Sequence, residues 1–359
     1  MSLLKASIRE SSGEIVPTRH PGWERHESSD ADEQALLLRG WDQCYDQISP
    51  GAHCGVTVNA YLGDVQLFRE FSSTALRQRG HAPSGSHTLA IRIDDGDDAR
   101  FRGSTLTQHS LLSMSDGVEL DLRTSPSFEA FGLTVCSDAL RRHAETVEGR
   151  YLTDRLGHRD VIPLASTLAE ELRLFLASVF DLLESNHSVL AHESARRILH
   201  AEVLDRVFSV LRSPESEAVG QSTAQQRARI VARAEEFVLS RPFESVTVAD
   251  LCFHVGTSRR RLQYAFQEVM GTSPNRYLRA IRLCRVRREL KSGGTSVPSI
   301  QDAAARWGFW HLGHFSLDYK RMFAERPSDT VRGAVAANSR RFVAPALEGR
   351  SGGQVADPE

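Results

Sequence analysis

The chain has 359 residues, which is long enough for two domains that each bury a core of their own. Its 44 basic and 46 acidic side chains nearly balance, yet residues 227–332 hold 19 basic against 10 acidic, and the remainder holds 25 against 36. The five scattered cysteines form no C-x-x-C pair, which argues against a disulfide framework or a structural zinc site. No apolar run reaches the roughly 18 residues of a membrane helix, so we expect a cytoplasmic protein that does not enter a membrane.

The uneven charge predicts a basic module of about a hundred residues attached to an acidic one. A basic module is suited to a polyanionic partner, although a solvated charged surface explains the charge equally well. The choice between a polyanionic partner and a solvated surface therefore depends on the predicted helices and motifs.

Residues from about Val56 to Leu122 show the period-two alternation of β-strands. The segment "GVTVNAYLGDVQLF" alternates, turns at Gly63-Asp64 and continues as a second strand, which is typical of a hairpin. The segments "HTLAIRID" and "GVELDL" repeat the alternation. Together they predict a small antiparallel sandwich or barrel, preceded by an N-terminal arm of residues 1–35.

Beyond about residue 138 the period becomes helical. One apolar stripe recurs at spacings of three and four, and a second helix is predicted from about Val189 to Leu211. This pair is suited either to cover the sheet or to form a dimer seam, and it completes a first domain of residues 36–212. A polar linker is predicted over 213–226 and a disordered tail over 335–359. The apolar stripe consists of Leu168, Leu172, Phe175, Val179 and Leu183.

After the linker, a helix over about 227–240 and two short helices show clear start and stop signals. Thr247 followed by Asp250 predicts a capping-box start for "VADLCFHV", Gly256 ends it, and Ser258 caps the next helix. Only a few residues including a glycine separate the two, which is the spacing of a helix-turn-helix. In the helix 258–269 the apolar positions fall on one side, and this leaves an outward face of Arg259, Arg260, Gln263, Tyr264 and Gln267.

The same arrangement recurs about fifty residues later. Ser299 and Asp302 cap "IQDAAARW", Gly308 ends it, and a further helix follows with a predicted core of Leu312, Phe315, Tyr319 and Phe323. Between the two units a helix begins at Ser273-Pro274 and runs to about Lys291. Long donor side chains at the start of a recognition helix can reach base edges in the major groove, so the repeat favours nucleic-acid binding.

The two units resemble the DNA-binding domain of the AraC/XylS family of transcriptional regulators, and the matching domain spans residues 227–334. The motifs are "ADLCFHVGTSRRRLQYAFQEVMGTSPNRYLRAIRLCRVRREL" and "SIQDAAARWGFWHLGHFSLDYKRMFAERPSDTVR". The second motif has Ala324 where many relatives have glycine.

The resemblance places the base-reading positions of the first unit on Arg260, Gln263 and Tyr264, with Arg259, Arg261 and Gln267 as backbone contacts. In the second unit these positions fall on Gly313 and Leu317, whose side chains cannot hydrogen-bond a base. We therefore expect the second helix mostly to hold phosphates and sequence discrimination to lie mainly in the first unit. The residues expected to contact DNA there are His311, His314, Ser316, Lys320 and Arg321.

The N-terminal half resembles, more loosely, the sensing domain of regulators for ethanolamine and related small catabolic substrates. The resemblance covers about residues 35–145, through "WDQCYDQISPGAHCGVTVNAYLGDVQLFRE" and "ALRQRG". It implies a cupin-like barrel or sandwich that binds a small-molecule effector.

Three residues of this half are candidate effector contacts. Arg69 shares a strand face with apolar residues, and a buried arginine must be paired. Its partner is either a carboxylate of the protein or an anionic or polar effector, and Arg69 is unsuited to direct contact with an amine. Trp41 and Tyr45 are candidate aromatic walls of the pocket, with ordinary packing as the alternative.

The sequence thus predicts an α+β protein, with a cupin-like antiparallel β barrel or sandwich with helices followed by an all-α double helix-turn-helix domain. The predicted function is a ligand-responsive, sequence-specific transcriptional regulator that activates a catabolic operon for a small amine or related metabolite. The expected partners are promoter DNA, a small effector, RNA polymerase and a second copy of the chain. No cofactor and no enzymatic activity are expected.

Two other function classes are disfavoured by their ligand requirements. A cupin-type metal-dependent enzyme fused to a DNA-binding module needs clustered ligands, commonly two histidines one residue apart plus a glutamate, and no H-x-H occurs in the chain. A DNA-repair methyl acceptor needs a zinc-bound cysteine cluster, for which Cys44 and Cys54 supply at most two isolated thiols.

Overall fold

The computed structural model describes residues 22–94, 96, 99–143, 160–211, 221–241, 246–292, 299–309 and 311–343. The described residues divide into two compact units. The first contains the residues up to Arg241 and Val246–Ile281, and the second contains the residues from Arg282 onward. The first unit thus includes both the sheets and the first helix-turn-helix. The predicted division into domains of residues 36–212 and 227–334 stays a prediction.

Twelve strands in the described part of the first unit build two antiparallel sheets that do not close into a barrel, so the sandwich is the correct form of the predicted fold. One sheet has seven strands in the order β1-β3-β4-β11-β6-β9-β12, and the other has five in the order β2-β5-β10-β7-β8. The strands are β1 Trp23–Ser28, β2 Asp42–Gln47, β3 Gly55–Leu62, β4 Val65–Ser72, β5 Leu76–His81, β6 Ser86–Arg92, β7 Arg100–Phe101, β8 Ser104–Thr105, β9 Ser110–Met114, β10 Glu119–Arg123, β11 Phe128–Cys136 and β12 Val161–Pro163.

The predicted hairpin is confirmed, because Leu62 pairs with Val65 across Gly63, whose φ of 75° is the left-handed region that glycine favours. The prediction that residues 1–35 form an arm is wrong for the described part. β1 pairs with β3 along its whole length, and a short helix, α1 (Ala31–Gln34), follows it. The segment "WERHES" lacks alternation, so its strand state comes from pairing with β3 and not from its own pattern.

Two helices pack on the outer face of the seven-stranded sheet, as the helical stripe predicts. They follow the short helix α2 (Ser137–His143) and are α3 (Ser166–Ser185) and α4 (Glu193–Leu211). The second was expected from Val189, but a 3-10 helix (His187–Ala191) precedes it. The buried face of α3 holds Leu172, Val179 and Leu183 of the predicted stripe together with other apolar residues, and Phe175 is partly buried. These residues and the sheet form one continuous core.

The remaining helices of the first unit are α5 (Gln221–Leu239), α6 (Val248–Val255), α7 (Arg259–Met270) and the first part of α8 (Pro274–Lys291). The predicted linker is therefore too long, because α5 begins at Gln221. The segment "QSTAQQ" contains no glycine or proline, so a helix can extend through it despite its polar composition. Residues 213–220 of that linker lie outside the described residues.

The second unit contains the rest of α8 with α9 (Ile300–Arg306), α10 (Leu312–Phe323) and α11 (Pro327–Val343). The tail predicted over 335–359 is wrong as far as Val343, because α11 continues through the alanine-rich segment "GAVAAN", which favours helix. Residues 344–359 lie outside the described residues. Within the described ranges, no helix has the length and apolar character needed to cross a membrane.

Candidate nucleic-acid interface and ligand cavity

The turn between α6 and α7 is fixed by the capping residues that the sequence predicts. The Thr247 hydroxyl accepts a hydrogen bond from the Asp250 amide at 3.3 Å, and the Asp250 carboxylate accepts one from the Thr247 amide at 2.8 Å. Gly256 ends α6 at a φ of 68°, and the Ser258 hydroxyl caps α7 by accepting from the Arg261 amide at 3.3 Å. Both ends of the turn are thus set by local sequence.

One side of α7 is buried and the other carries the residues predicted to contact DNA. Leu262, Ala265 and Phe266 are at most 1% exposed and pack against α5, α6 and α8. The opposite side is exposed, with the Arg260 guanidinium 5.6 Å from the ring centroid of Tyr264. This arrangement presents donors in a row on a packed helix. The exposed residues are Arg259, Arg260, Arg261, Gln263, Tyr264 and Gln267.

The second helix-turn-helix has a comparable core with a different surface. Ser299 caps α9 by accepting from the Asp302 amide at 3.0 Å, while His311 begins α10 without a side-chain cap. Phe315 and Tyr319 are buried as predicted, but Leu312 is 38% exposed, so its predicted core position is wrong. Phe309, in the turn before α10, packs against Phe315 with ring centroids 5.2 Å apart and helps form the core that was assigned to Leu312.

The exposed side of α10 carries the five residues expected to contact DNA. The side chain of Leu317, at a position where relatives carry a reader, is 64% exposed. The His311 and His314 rings lie next to each other with centroids 6.2 Å apart. Gly313 has open space around the position of a Cβ, so packing does not require the glycine there. The five expected contacts, all exposed, are His311, His314, Ser316, Lys320 and Arg321.

A cavity lies between the two sheets and is partly open to solvent. Trp41 and Tyr45 line it, and their predicted role as effector contacts stays a prediction. Most of its wall is apolar, with Phe68 and Phe128 among the larger side chains. Such a cavity with few polar groups is the usual form of a small-molecule site. Its polar members are Trp41, Gln43, Tyr45, Glu70, Gln78, Thr88 and Arg92.

Arg69 does not line this cavity. It is half-buried on the opposite face of β4, where its Nε donates to Glu129 Oε1 at 2.7 Å and its guanidinium lies 5.9 Å from the Phe131 ring centroid. Of the two partners predicted for Arg69, the structure provides the protein carboxylate. A contact between Arg69 and an effector stays a prediction.

The acidic residue that lines the cavity is Glu70, which sequence reasoning missed. Successive residues of a strand face opposite sides, so the neighbour of Arg69 faces the cavity together with Phe68. The signal was the alternation of β4, which places Glu70 on the same strand face as Phe68. Burial raises the pKa of Glu70 to about 7, and hydrogen bonds from Tyr45 and other side chains only partly oppose this increase.

The outer face of the five-stranded sheet carries a buried ion cluster that also involves the helices of the first helix-turn-helix. Arg77 of β5 donates to Glu235 of α5 through Nε at 3.2 Å and Nη2 at 2.7 Å, and it also pairs with Asp121 of β10. Tyr277 of α8 donates its hydroxyl to Glu235. Arg77 and Glu235 are 3% and 6% exposed at their side chains, so water contributes little to their solvation.

This cluster joins strands that also line the cavity. Gln78, next to Arg77 on β5, lines the cavity from the other side of the sheet, and Leu120 and Leu122 of β10 flank Asp121. The hydrophobic core of the first helix-turn-helix includes Ile48, which directly follows β2. A displacement of β5 therefore affects both the cavity and the cluster. Sequence reasoning found neither Arg77 nor Glu235, because these two residues are 158 positions apart in the chain and no local pattern links them.

Among the residues that the structure describes, no group of three or more histidine, cysteine, aspartate or glutamate side chains is placed to hold a metal ion. None of the described cysteines forms a disulfide.

Residues 251–333 match the helix-turn-helix domain family. A probable thc operon regulatory protein of Rhodococcus erythropolis is 36% identical over 103 residues, which is 29% of this chain and 31% of that protein. The XylDLEGF operon transcriptional activator 3 of Pseudomonas putida is 30% identical over 117 residues, which is 33% of this chain and 35% of that protein. The chain therefore spans about a third of the length of these curated relatives.

Among solved structures, the chain is similar to the AraC-like transcriptional activator CuxR at 14% identity and a TM-score of 0.38, with 73% of this chain and 94% of that chain covered. The C-terminal region contains a helix-turn-helix domain, and the curated relatives that match it there are named as operon regulators. The resemblance of the N-terminal half to ethanolamine-operon regulators stays a prediction.

Proposed function

We propose that the chain is a ligand-responsive transcriptional regulator that reads promoter DNA mainly through α7. The observation that supports this most directly is the exposed row of Arg260, Gln263 and Tyr264 over a fully buried Leu262 and Phe266. Arginine and glutamine at the start of a packed helix match the donor and acceptor patterns of guanine and adenine in the major groove. The family match over residues 251–333 adds independent support.

The test is a titration of the purified full chain against its own flanking promoter fragments and a random duplex, by fluorescence anisotropy at several salt concentrations. We expect binding that weakens steeply with salt, because phosphate contacts release counterions, and one fragment that binds more tightly than the random duplex. A matched control is Arg197→Ala, which removes an exposed arginine from α4 in the sensor half and should leave binding unchanged. Equal binding to all duplexes contradicts sequence-specific reading.

The effector response is proposed to pass through the five-stranded sheet. Its two faces support this, since β5 presents Gln78 to the cavity and Arg77 to Glu235 of α5. A ligand that fits one arrangement of β5 better than another shifts the equilibrium between two positions of the DNA-binding helices. A relative named as an operon transcriptional activator supports activation as the sign of regulation. RNA polymerase and a second copy of the chain are the further partners that we propose.

A paired substitution tests this route. Replacing Arg77 alone by methionine leaves Glu235 buried without its main cation, so we expect a loss of about 3 to 5 kcal/mol in the free energy of unfolding. Arg77→Met with Glu235→Leu should recover most of that stability, because both buried charges are gone. The double variant should bind promoter DNA with an affinity that differs from that of the unaltered chain.

The control is the same double change at another ion pair of the sheets, Arg69→Met with Glu129→Leu. That pair lies on the face of β4 opposite the cavity and contacts no helix of the helix-turn-helix in the described part of the chain. DNA affinity that responds equally to both double variants contradicts a specific route through Arg77. DNA affinity unchanged in both would show that the cluster only stabilises the fold.

A further inference from the structure

Glu70 is held in place by a chain of hydrogen bonds that starts outside the cavity. His53 contacts the Thr74 hydroxyl at 2.8 Å and the Gln34 carbonyl oxygen at 2.7 Å, and the Gln34 amide donates to Glu70 Oε1 at 3.1 Å. The Tyr45 hydroxyl donates to the same oxygen at 2.8 Å. Gln34 also donates to the Phe71 carbonyl at 2.9 Å, so its orientation is fixed from two sides. The carboxyl group is therefore positioned before any ligand arrives.

Glu70 has no cation beside it in the described part of the chain, in contrast to three other carboxylates of this unit. Asp46 pairs with Arg79, Asp94 with Arg92 and Glu235 with Arg77. Within the described ranges, no lysine, arginine or histidine nitrogen lies within 4.0 Å of the Glu70 carboxylate. A buried carboxylate is usually paired, and one that faces a cavity without a cation is suited to a ligand that supplies the positive charge.

The wall also contains a polar group that has no hydrogen-bond partner in the described part of the chain. The Trp41 indole nitrogen is buried and makes no hydrogen bond in the described part of the chain. The Trp41 ring meets Phe68 edge-on with centroids 5.9 Å apart, and both rings line the cavity with Glu70. Aromatic faces attract organic cations, and tryptophan does so most strongly. The indole N–H is free to donate to an acceptor atom on the same ligand.

We propose that this cavity binds a small organic cation, an ammonium-bearing molecule with an apolar body, whose charge lies against Glu70 and the ring of Trp41. The inference rests on the effector role proposed above and specifies its ligand class. The apolar part of the molecule packs among Phe68, Phe128 and the aliphatic residues of β9 and β10. Neutral and anionic molecules of the same shape bind more weakly, because they leave the Glu70 carboxylate either unpaired or repelled.

The test uses three matched series of probes, the n-alkylamines, n-alkanols and n-alkanoates of three to six carbons, titrated into the full chain by calorimetry. At equal chain length we expect the amine to bind at least about ten-fold more tightly than the alkanol, as a hydrogen bond between charged groups provides. The alkanoate should bind most weakly of the three. An alkanol or alkanoate that binds as tightly as the amine overturns the proposal, as does binding of none of the probes.

Glu70→Gln removes the charge and keeps the shape of the side chain. We expect it to reduce amine affinity at least about ten-fold while alkanol affinity changes little. The matched control is Glu129→Gln on the opposite face of the same sheet, which should change neither. If Glu70→Gln does not fold, the comparison of the three probe series in the unaltered chain still decides the question.

The pH dependence provides a second readout of the same site in the unaltered chain. Because the pKa of Glu70 is about 7, the carboxyl group ionises between pH 6 and pH 8, and we expect amine affinity to rise about ten-fold over this range. Three other ionisable groups face Glu70 or its hydrogen-bond chain. Burial raises the pKa of Tyr45 and lowers that of His53 to about 4, so both stay neutral, and Arg92 is paired with Asp94.

Amine affinity independent of pH contradicts a role for the Glu70 charge. Failure of this inference and failure of the proposed function are distinguishable on one preparation. Amine binding without any preference for a promoter fragment leaves the cavity assignment standing and overturns the regulator. Promoter binding without a preference for amines does the reverse.

Discussion

The two recognition helices, α7 and α10, are each twelve residues long and bury similar faces, but they expose different chemistry. The outer face of α7 carries three arginines, two glutamines and a tyrosine, whereas α10 exposes Leu312, Gly313 and Leu317 among its polar residues. A buried face is constrained by packing, while an exposed face can change without loss of the fold. The comparison teaches that similar cores can support different surfaces, and this difference is the basis for the proposal that α7 reads bases and α10 holds phosphates.

The largest expected effect is a loss of stability on substitution in the cores, which are similar in the two helices. Phe266 of α7 and Phe315 of α10 are each 1% exposed, so replacing either by alanine should cost about 3 to 5 kcal/mol of stability. Hydrogen exchange should locate the loss, in α5 to α7 for Phe266→Ala and in α9 to α10 for Phe315→Ala. The control is Phe253→Ala, since Phe253 is 93% exposed and contributes little to the core. A change of similar size in the control would contradict this account of packing.

The next largest effect is expected on DNA affinity, when exposed residues of α7 or α10 are replaced. Arg260→Ala or Gln263→Ala should cost about 1 to 3 kcal/mol of binding at the cognate fragment and little on random DNA, because a base contact is lost. Lys320→Ala should weaken binding to both duplexes alike and reduce the salt dependence, because a phosphate contact is lost. Anisotropy titrations with both duplexes measure this. Equal losses on both duplexes for all three variants would contradict the division of labour between α7 and α10.

A smaller loss of stability is expected at the starts of α6 and α9, which are both capped by a side-chain hydroxyl. Thr247→Ala removes the hydroxyl that caps α6, and Ser299→Ala removes the one that caps α9, so each should lower stability by about 1 kcal/mol. Thermal unfolding measures the change. Thr247→Ser is the conservative control, since it keeps the hydroxyl and should stay close to the unaltered chain. A control as unstable as Thr247→Ala would assign the effect to the lost methyl group.

These features differ in how far the sequence determines them. The caps at Thr247, Ser258 and Ser299 and the outward face of α7 were predictable, because they depend on residues within one or two helical turns. The strand state of β1 was not, since it depends on pairing with β3. The position of Glu70 in the cavity likewise depends on which face of β4 meets the second sheet. Local patterns therefore predicted the helical units well and the sandwich only in outline.

The smallest expected effect concerns the residue that ends each recognition helix. Gly271 ends α7 at a φ of 61°, and Ala324 ends α10 at a φ of 57°, so alanine occupies a left-handed conformation that disfavours a Cβ. Ala324→Gly relieves this strain at some cost in chain entropy, and we expect a net gain of about 0.5 to 1 kcal/mol by thermal unfolding.

The reverse change at the first helix should be worse than the loss of glycine freedom alone. A Cβ on Gly271 lies 2.1 Å from Arg123 Nη2 of β10, so Gly271→Ala requires the guanidinium to move as well. We expect Gly271→Ala to destabilise by more than Ala324→Gly stabilises. If the two substitutions change the free energy of unfolding by equal and opposite amounts, backbone conformation alone explains both changes. The close approach of Arg123 then contributes nothing to stability. If Gly271→Ala is larger, the end of α7 is also constrained by the sheet.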